Sequence, residues 1–100
     1  MGSFRLTNLA VADLRAIGLY TQETWGQAQR DRYLAKLDQA FFLLAQEPQR
    51  GRACDDIRAD YRKYHVGRHL IFYRQALDGM IDIIRILHDG MDIEAHIDND

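Results

Sequence analysis

The run Gly67-Arg68-His69-Leu70-Ile71-Phe72-Tyr73-Arg74, followed across a short turn by Ile81-Asp82-Ile83-Ile84-Arg85-Ile86-Leu87-His88, decides how this chain folds. Both segments are β-prone, and Leu77-Asp78-Gly79 between them is a turn signal, so they read as two neighbouring antiparallel strands. Arginine, histidine and tyrosine are interleaved with their apolar residues, where an ordinary small domain places Val, Ile or Thr. Polar groups inside a sheet cost free energy unless they are paired. Their presence therefore points either to an internal hydrogen-bond network or to a surface that meets something outside the chain.

Outward from this pair, residues 61–66 form a third β-prone run, with Gly67 as its turn, so residues 61–66, 68–75 and 80–88 predict an antiparallel meander. The last run is apolar on both faces, as in a central strand. At the start of the chain, Phe4-Arg5-Leu6-Thr7 alternates as a short first strand and Asn8 is placed to cap a helix. Ala10, Leu14, Ile17 and Thr21 or Tyr20 recur at helical spacing over residues 9–25, and Gly26 is a natural stop. A second helix from residue 27 carries the apolar stripe Leu34, Leu37, Phe41, Leu44 and Ala45, and ends before Pro48, the only proline. So short a link between two long helices predicts an antiparallel helical hairpin. Phe41, Phe42, Tyr33 and Trp25 read as core, with Phe42 partly outside it.

Residues 49–60 read as a polar loop, residues 91–97 as a further turn or two of helix, and residues 1–3 and 98–100 as frayed ends. The expectation is an α+β fold in β-α-α-β-β-β order, the helical hairpin packed on a small, mostly antiparallel sheet. The 100 residues suit a single domain over residues 1–100.

Composition narrows the function. No apolar run approaches membrane-spanning length, and Met1-Gly2-Ser3-Phe4-Arg5 lacks the apolar region of a signal peptide, so a cytoplasmic protein without a membrane partner is expected. Cys54 is the only cysteine, which fits a reducing compartment. The net charge of −2 hides an uneven distribution. Between Arg50 and Arg74 stand seven basic residues and three acidic ones, whereas Asp78 to Asp100 holds seven acidic residues and Arg85 alone. Lys36 and Lys63 are the only lysines, so positive charge is presented as guanidinium, suited to planar recognition of carboxylates. A pI near 6.0 lacks the footprint of a protein that grips a phosphate backbone, and no direct sequence-specific nucleic-acid partner is expected.

Catalytic motifs are few. Ser3 is the only serine and sits near the start, and Cys54 lies beside Asp55 and Asp56, whose charges oppose a thiolate. There is no glycine-rich phosphate loop, and no cofactor is expected. His88, Asp92 and His96 stand four apart, as metal ligands on a helix would, but Gly90 interrupts such a helix and no metal site is expected. The group Arg68, His69, Tyr73, Arg85 and His88 has two readings. Arg85 pairs with Asp82 or another carboxylate while Tyr73 and His69 bond to backbone, or the group forms an exposed functional surface. The same residue types could make a ribonuclease site, which the missing basic background disfavours.

These elements taken together resemble the ParE toxins of the RelE/ParE superfamily of type II toxin-antitoxin systems. The resemblance is carried by Trp25-Gly26, Ala28, Tyr33, Leu37, Phe41 and Leu44-Ala45, then by Pro48, Gly51-Arg52, Ile57-Arg58 and Tyr61-Arg62. It continues through Gly67 to Arg74 and Ile84-Arg85-Ile86-Leu87-His88 to Met91-Asp92. It implies a growth-inhibiting toxin that is not an enzyme, blocks DNA gyrase, and is held inactive in a hetero-oligomer by a ParD-like antitoxin with an acidic, amphipathic C-terminal segment. The residues assigned to antitoxin binding are Arg58, Arg62, Arg68, His69 and Tyr73, and those assigned to the target are Arg85, His88, Met91 and Asp92. The alternatives are a RelE-type, ribosome-dependent mRNA endoribonuclease and a detoxified homologue that only binds antitoxin.

Overall fold

The computed structural model describes residues 3–91 together with 96 and 97. The elements in chain order are β1 (Phe4–Leu6), α1 (Asn8–Trp25), α2 (Gln27–Gln46), β2 (Arg52–Ala53), β3 (Arg62–Val66), β4 (His69–Gln75) and β5 (Ile81–His88). They form one sheet in the order β1-β5-β4-β3-β2, with β1 parallel to β5 and the other pairs antiparallel. The expected α+β class and order are the observed ones, with one addition. The two-residue β2 lies inside the stretch read as loop, where two residues are too few to show a period. Ser3, expected to fray, accepts a ladder bond from the Ile81 amide at 3.1 Å.

The entry into α1 is made by Thr7 rather than Asn8. Thr7 still belongs to the sheet, since its amide donates to Ile83 O at 3.1 Å, and its hydroxyl accepts from Ala10 N at 3.1 Å as a helix cap. The same hydroxyl donates to Ile84 O at 2.7 Å. Gly26 alone links the helices. Its amide closes α1 onto Gln22 O, its carbonyl accepts Arg30 N to open α2, and its φ of +93° is a conformation that a side chain would strain. The helix α2 ends at Gln46 because the proline that follows Glu47 keeps that residue out of the helical region.

The helices cover one face of the sheet. Ala10, Ile17, Leu37, Phe41, Leu44 and Ala45 meet Val66, Ile71, Tyr73, Ile81, Ile83 and Ile86 in the main core. Strand alternation then puts Phe72 and Leu87 on the opposite face, where they pack with Cys54 and Ile97 beneath Ile57, Tyr61 and Leu70. Both faces of the central strand are therefore covered, which is why β5 is apolar on both. A register shift adds to this, because Phe72 pairs with Arg85 but Tyr73 with Ile83, leaving Ile84 as an extra residue.

One expected core residue is not core: Trp25 is 70% exposed, because the buried stripe of α1 stops at Thr21, which takes the place left open between Thr21 and the exposed Tyr20. Phe42 stands partly outside, edge-on to Phe4 at 5.0 Å between ring centres. Phe41 is buried at the centre of the α2 stripe, so Phe41→Ala is expected to destabilise the fold by about 3–5 kcal/mol through lost burial and a cavity. Trp25→Ala is expected to stay within about 0.5 kcal/mol of the parent. Thermal or denaturant unfolding of the two variants checks the pair.

Candidate functional site

The polar residues that interrupt β4 and β5 divide into those that build the scaffold and those that face outward. Tyr73 belongs to the first group. It is fully buried, its hydroxyl donates to Pro48 O at 2.7 Å, and it accepts from Gly51 N at 2.8 Å. A Cβ at position 51 would overlap that hydroxyl, so the glycine provides the close approach. Burial is the main cause that pushes the Tyr73 pKa up, so the phenol stays protonated and keeps its donor. Arg62 holds the same loop from another side, donating from Nη1 to Gly51 O at 2.8 Å. The assignment of Tyr73 to antitoxin contact is thereby corrected: a side chain with no exposure has no surface to offer.

Tyr33 does the equivalent work at the β3–β4 turn. Its hydroxyl accepts from Arg68 N at 3.1 Å and lies 2.6 Å from His69 Nδ1 and 3.2 Å from Val66 O. The single hydroxyl proton serves the shorter contact when Nδ1 is bare, so the neutral Nε2–H tautomer of His69 fits the geometry. Burial is the largest cause lowering the His69 pKa, with His88 contributing in the same direction, and this favours that neutral ring. The Tyr33 ring also fills the space where a Cβ of Gly67 would stand, and Gly67 has a φ of +57°. The turn therefore requires glycine on two counts.

Arg85 is bound inside the molecule and not to Asp82. Its Nε and Nη2 meet the two oxygens of Asp13 at 2.8 and 3.0 Å, and the same carboxylate accepts Ile86 N at 2.9 Å. The side chains are only 13% and 14% exposed. Asp82 instead serves Arg5 at 2.9 Å and Arg74 at 3.8 Å. Arg85 also reaches the His96 carbonyl at 3.4 Å, and Arg58 donates to Ile97 O at 3.1 Å. Both arginines thus hold His96 and Ile97, and the assignment of Arg85 to an exposed target surface is corrected to a largely buried structural role.

The outward-facing residues are fewer. His88 pairs in register with His69, its ring edge-on to the His69 ring at 5.6 Å, and is exposed. Gly90 N donates to His88 Nδ1 at 3.1 Å, and Asp89 approaches the same nitrogen at 3.7 Å. Met91 follows, 43% exposed, with its amide on His88 O at 3.1 Å. His88 and Met91 therefore lie together at the end of β5, while Asp92 lies outside the described residues. Arg68 is exposed at the turn, and Arg58 is exposed on the loop over the second cluster. Cys54 is buried, and burial is the main cause raising its pKa, so it is a packed thiol and not a nucleophile.

Sequence reasoning missed Asp13 entirely. Its signal was an acidic residue between Ala10 and Leu14, on the edge of the buried stripe of α1, where a carboxylate needs a partner.

A helical hairpin laid on a sheet in the order β1-β5-β4-β3-β2 is a RelE/ParE-type toxin fold. Two solved structures share it. The chromosomal ParDE toxin-antitoxin system of P. aeruginosa superposes with a TM-score of 0.74 at 21% identity, over 88% of this chain and 96% of that one. The toxin-antitoxin complex RelBE2 of Mycobacterium tuberculosis gives 0.67 at 23% identity, over 87% and 96%. The family model described as "ParE toxin of type II toxin-antitoxin system, parDE" matches residues 4–93, and the chain belongs to that family. Among its relatives, Toxin ParE1 of Mycobacterium tuberculosis is 40% identical over 94% of this chain and 96% of its own length. Toxin ParE1 of Caulobacter vibrioides is 35% identical over 97% and 99%, and Toxin ParE of Escherichia coli 33% identical over 97% and 94%.

Two outcomes follow from this geometry. Asp13→Ala removes the two-pronged carboxylate from a largely buried guanidinium and the acceptor from the Ile86 amide, and is expected to cost about 3–5 kcal/mol in an unfolding titration. His69 titrates in the opposite sense to a histidine that gains an acidic partner. Its folded-state pKa lies below the ordinary 6.5, so the unfolded chain takes up the proton first as pH falls. Its contribution is present above about pH 6.5 and is lost as pH falls from there toward the depressed folded value. The Tm advantage of the parent over His69→Gln is therefore expected to shrink between pH 7.5 and pH 5.5.

Proposed function

We propose that this toxin of a ParDE-type system acts in the cytoplasm by binding DNA gyrase and blocking its supercoiling activity, with no covalent chemistry of its own, and that a ParD-like antitoxin neutralises it. The observation that carries the reading is the ParE toxin family match over residues 4–93. Chemistry supports the non-enzymatic part, because among the described residues no histidine or carboxylate is hydrogen-bonded to the hydroxyl of the one serine, and the one cysteine is buried with a raised pKa. No helix among the described residues is long and apolar enough to cross a membrane.

The antitoxin is assigned a helical segment on the groove between α1 and α2, where Leu14, Gly18, Leu19, Leu34 and Phe41 line a space of about 750 Å³. Its acidic residues meet the exposed Arg68 at the β3–β4 turn, beside Tyr33 of α2. Exposed ion pairs give only about 0.2–1 kcal/mol each, so the apolar contacts supply most of the affinity and the charges mainly set the on-rate. The target surface is assigned to His88, Met91 and Asp92.

A second reading, the ribosome-dependent endoribonuclease, is favoured by one observation. The register lines up Arg52, Lys63, Phe72 and Arg85 across one face of the sheet, the kind of row that could follow a phosphate backbone. Against it, Arg85 is engaged by Asp13 and the pI is near 6.0.

Because Ile97 is fully buried, cutting the chain before Met91 would also open the second cluster, so a point variant is the cleaner probe. Met91→Glu is expected to lose inhibition of gyrase supercoiling by about tenfold or more while its Tm and its antitoxin binding stay close to those of the parent. Cleavage of mRNA on ribosomes by the pure protein, with gyrase supercoiling untouched, would replace the inhibitor reading by the ribonuclease one.

A further inference from the structure

The basic row on the outer face contains an arrangement that the free protein does not explain. Arg52 of β2 and Lys63 of β3 are direct register partners, so their side chains leave the sheet on the same face. Like charges placed directly opposite each other destabilise a strand pair. Among the described residues neither cation has a carboxylate within ion-pair distance, although Asp55 and Asp56 follow closely in the chain. Phe72, which pairs with Lys63 on its other side, is fully buried and gives no charge compensation.

The backbone beside this pair is also incomplete. The two-residue turn Gly67-Arg68 makes Val66 and His69 a mutually hydrogen-bonded pair, and by alternation the amides and carbonyls of Lys63 and His65 point away from β4. β2 covers Lys63 but goes no further, because Tyr73 and Arg62 draw Gly51 off the sheet. Among the described residues the outward N–H and C=O of His65 therefore have no strand partner. The His65 side chain lies on the same outer face as Lys63 and turns to Asp89 at 3.1 Å.

We propose that the edge of β3 at His65, together with Arg52 and Lys63, is the docking strip for an extended acidic segment of the partner protein, which pairs with β3 as an added strand and sets its carboxylates over the two cations. Edge-strand addition uses main-chain hydrogen bonds for affinity and alternate side chains for selectivity, and both halves are offered here within three residues. The opposed cations then have a function in the complex that offsets their cost in the free chain. This strip is separate from the groove between the helices. The proposal rests on the antitoxin reading above, since the antitoxin is the partner expected to bring an acidic segment.

Two measurements on the full chain test it, with the antitoxin encoded beside it as the probe. Amide hydrogen exchange at His65, compared between the toxin alone and the complex, is expected to slow by about tenfold or more on binding. Lys63→Glu places opposite charges across β2 and β3, so the free variant is expected to melt at the same temperature as the parent or higher, while its Kd for the antitoxin rises by about tenfold or more and loses salt dependence. Opposite signs in stability and affinity separate loss of docking from loss of fold. A complex that forms with parent affinity in Lys63→Glu, or that leaves His65 exchange unchanged, overturns the docking strip and leaves the antitoxin reading standing. Absence of any complex between the parent toxin and that antitoxin overturns the antitoxin reading itself, and the strip with it.

Discussion

One carboxylate stands where the sheet runs out of strand. β1 is three residues long and pairs only with Ile81 to Ile83, yet β5 continues to His88. The uncovered edge would leave backbone groups unpaired in a partly buried place, which costs more than a missing hydrogen bond in water. Thr7 takes the Ile84 carbonyl, and Asp13, one turn and a half into α1, takes the Ile86 amide. The same carboxylate neutralises Arg85, so one side chain fixes the helix to the strand, completes the edge and allows a guanidinium to be set inside. The orientation of α1 follows from that, and with it the placement of Ala10 and Ile17 on the core.

Two tyrosines repeat the principle in other parts of the molecule. Tyr33 and Tyr73 each bring a phenol from one element to a backbone N–H of a turn or loop, and each donates its own O–H in a hydrogen bond to a carbonyl or a bare imidazole nitrogen. Their rings fill apolar space while their hydroxyl groups satisfy the backbone, which lets turns without regular structure pack against the core. The loop at Gly51 and the turn at Gly67 are held in place in this way, and the outward-facing cations sit on what they hold.

This division explains what could be read from the sequence. The helix boundaries, the hairpin and the meander were legible because they follow from period, a stop glycine, a lone proline and turn residues, all of which act locally. The strand β2 was not, since a pair of residues carries no period. Nor was the exposure of Trp25, because a large aromatic at the end of a helix looks the same in sequence whether or not the sheet extends beneath it. The polar residues of β4 and β5 were correctly picked out as needing partners, but the sequence named Asp82 or another carboxylate for Arg85 and did not point to Asp13. That choice depends on where α1 crosses the strand edge, which is a tertiary fact. For Tyr73 and Arg85 the sequence left an internal network and an outer surface both open, and the structure has the internal one, whereas Arg52 and Lys63 drew little notice although the register opposes them directly.

A chain that keeps two cations opposed in the free state is less stable alone than it needs to be, and binding then carries weight in folding as well as in inhibition. Any partner that binds only the folded form stabilises it by RT ln(1 + [L]/Kd), which at a hundredfold excess over Kd is about 2.7 kcal/mol. For a domain of this size that is a sizeable part of the total stability. On the docking proposed here, the antitoxin would supply the negative charge that the outer face of the sheet lacks, and the cost of the like-charged pair would fall on the free toxin alone. The surface most exposed to selection for binding would then be the one that folding by itself disfavours, which is the reverse of the arrangement at Asp13 and Arg85, where charge is satisfied within the chain.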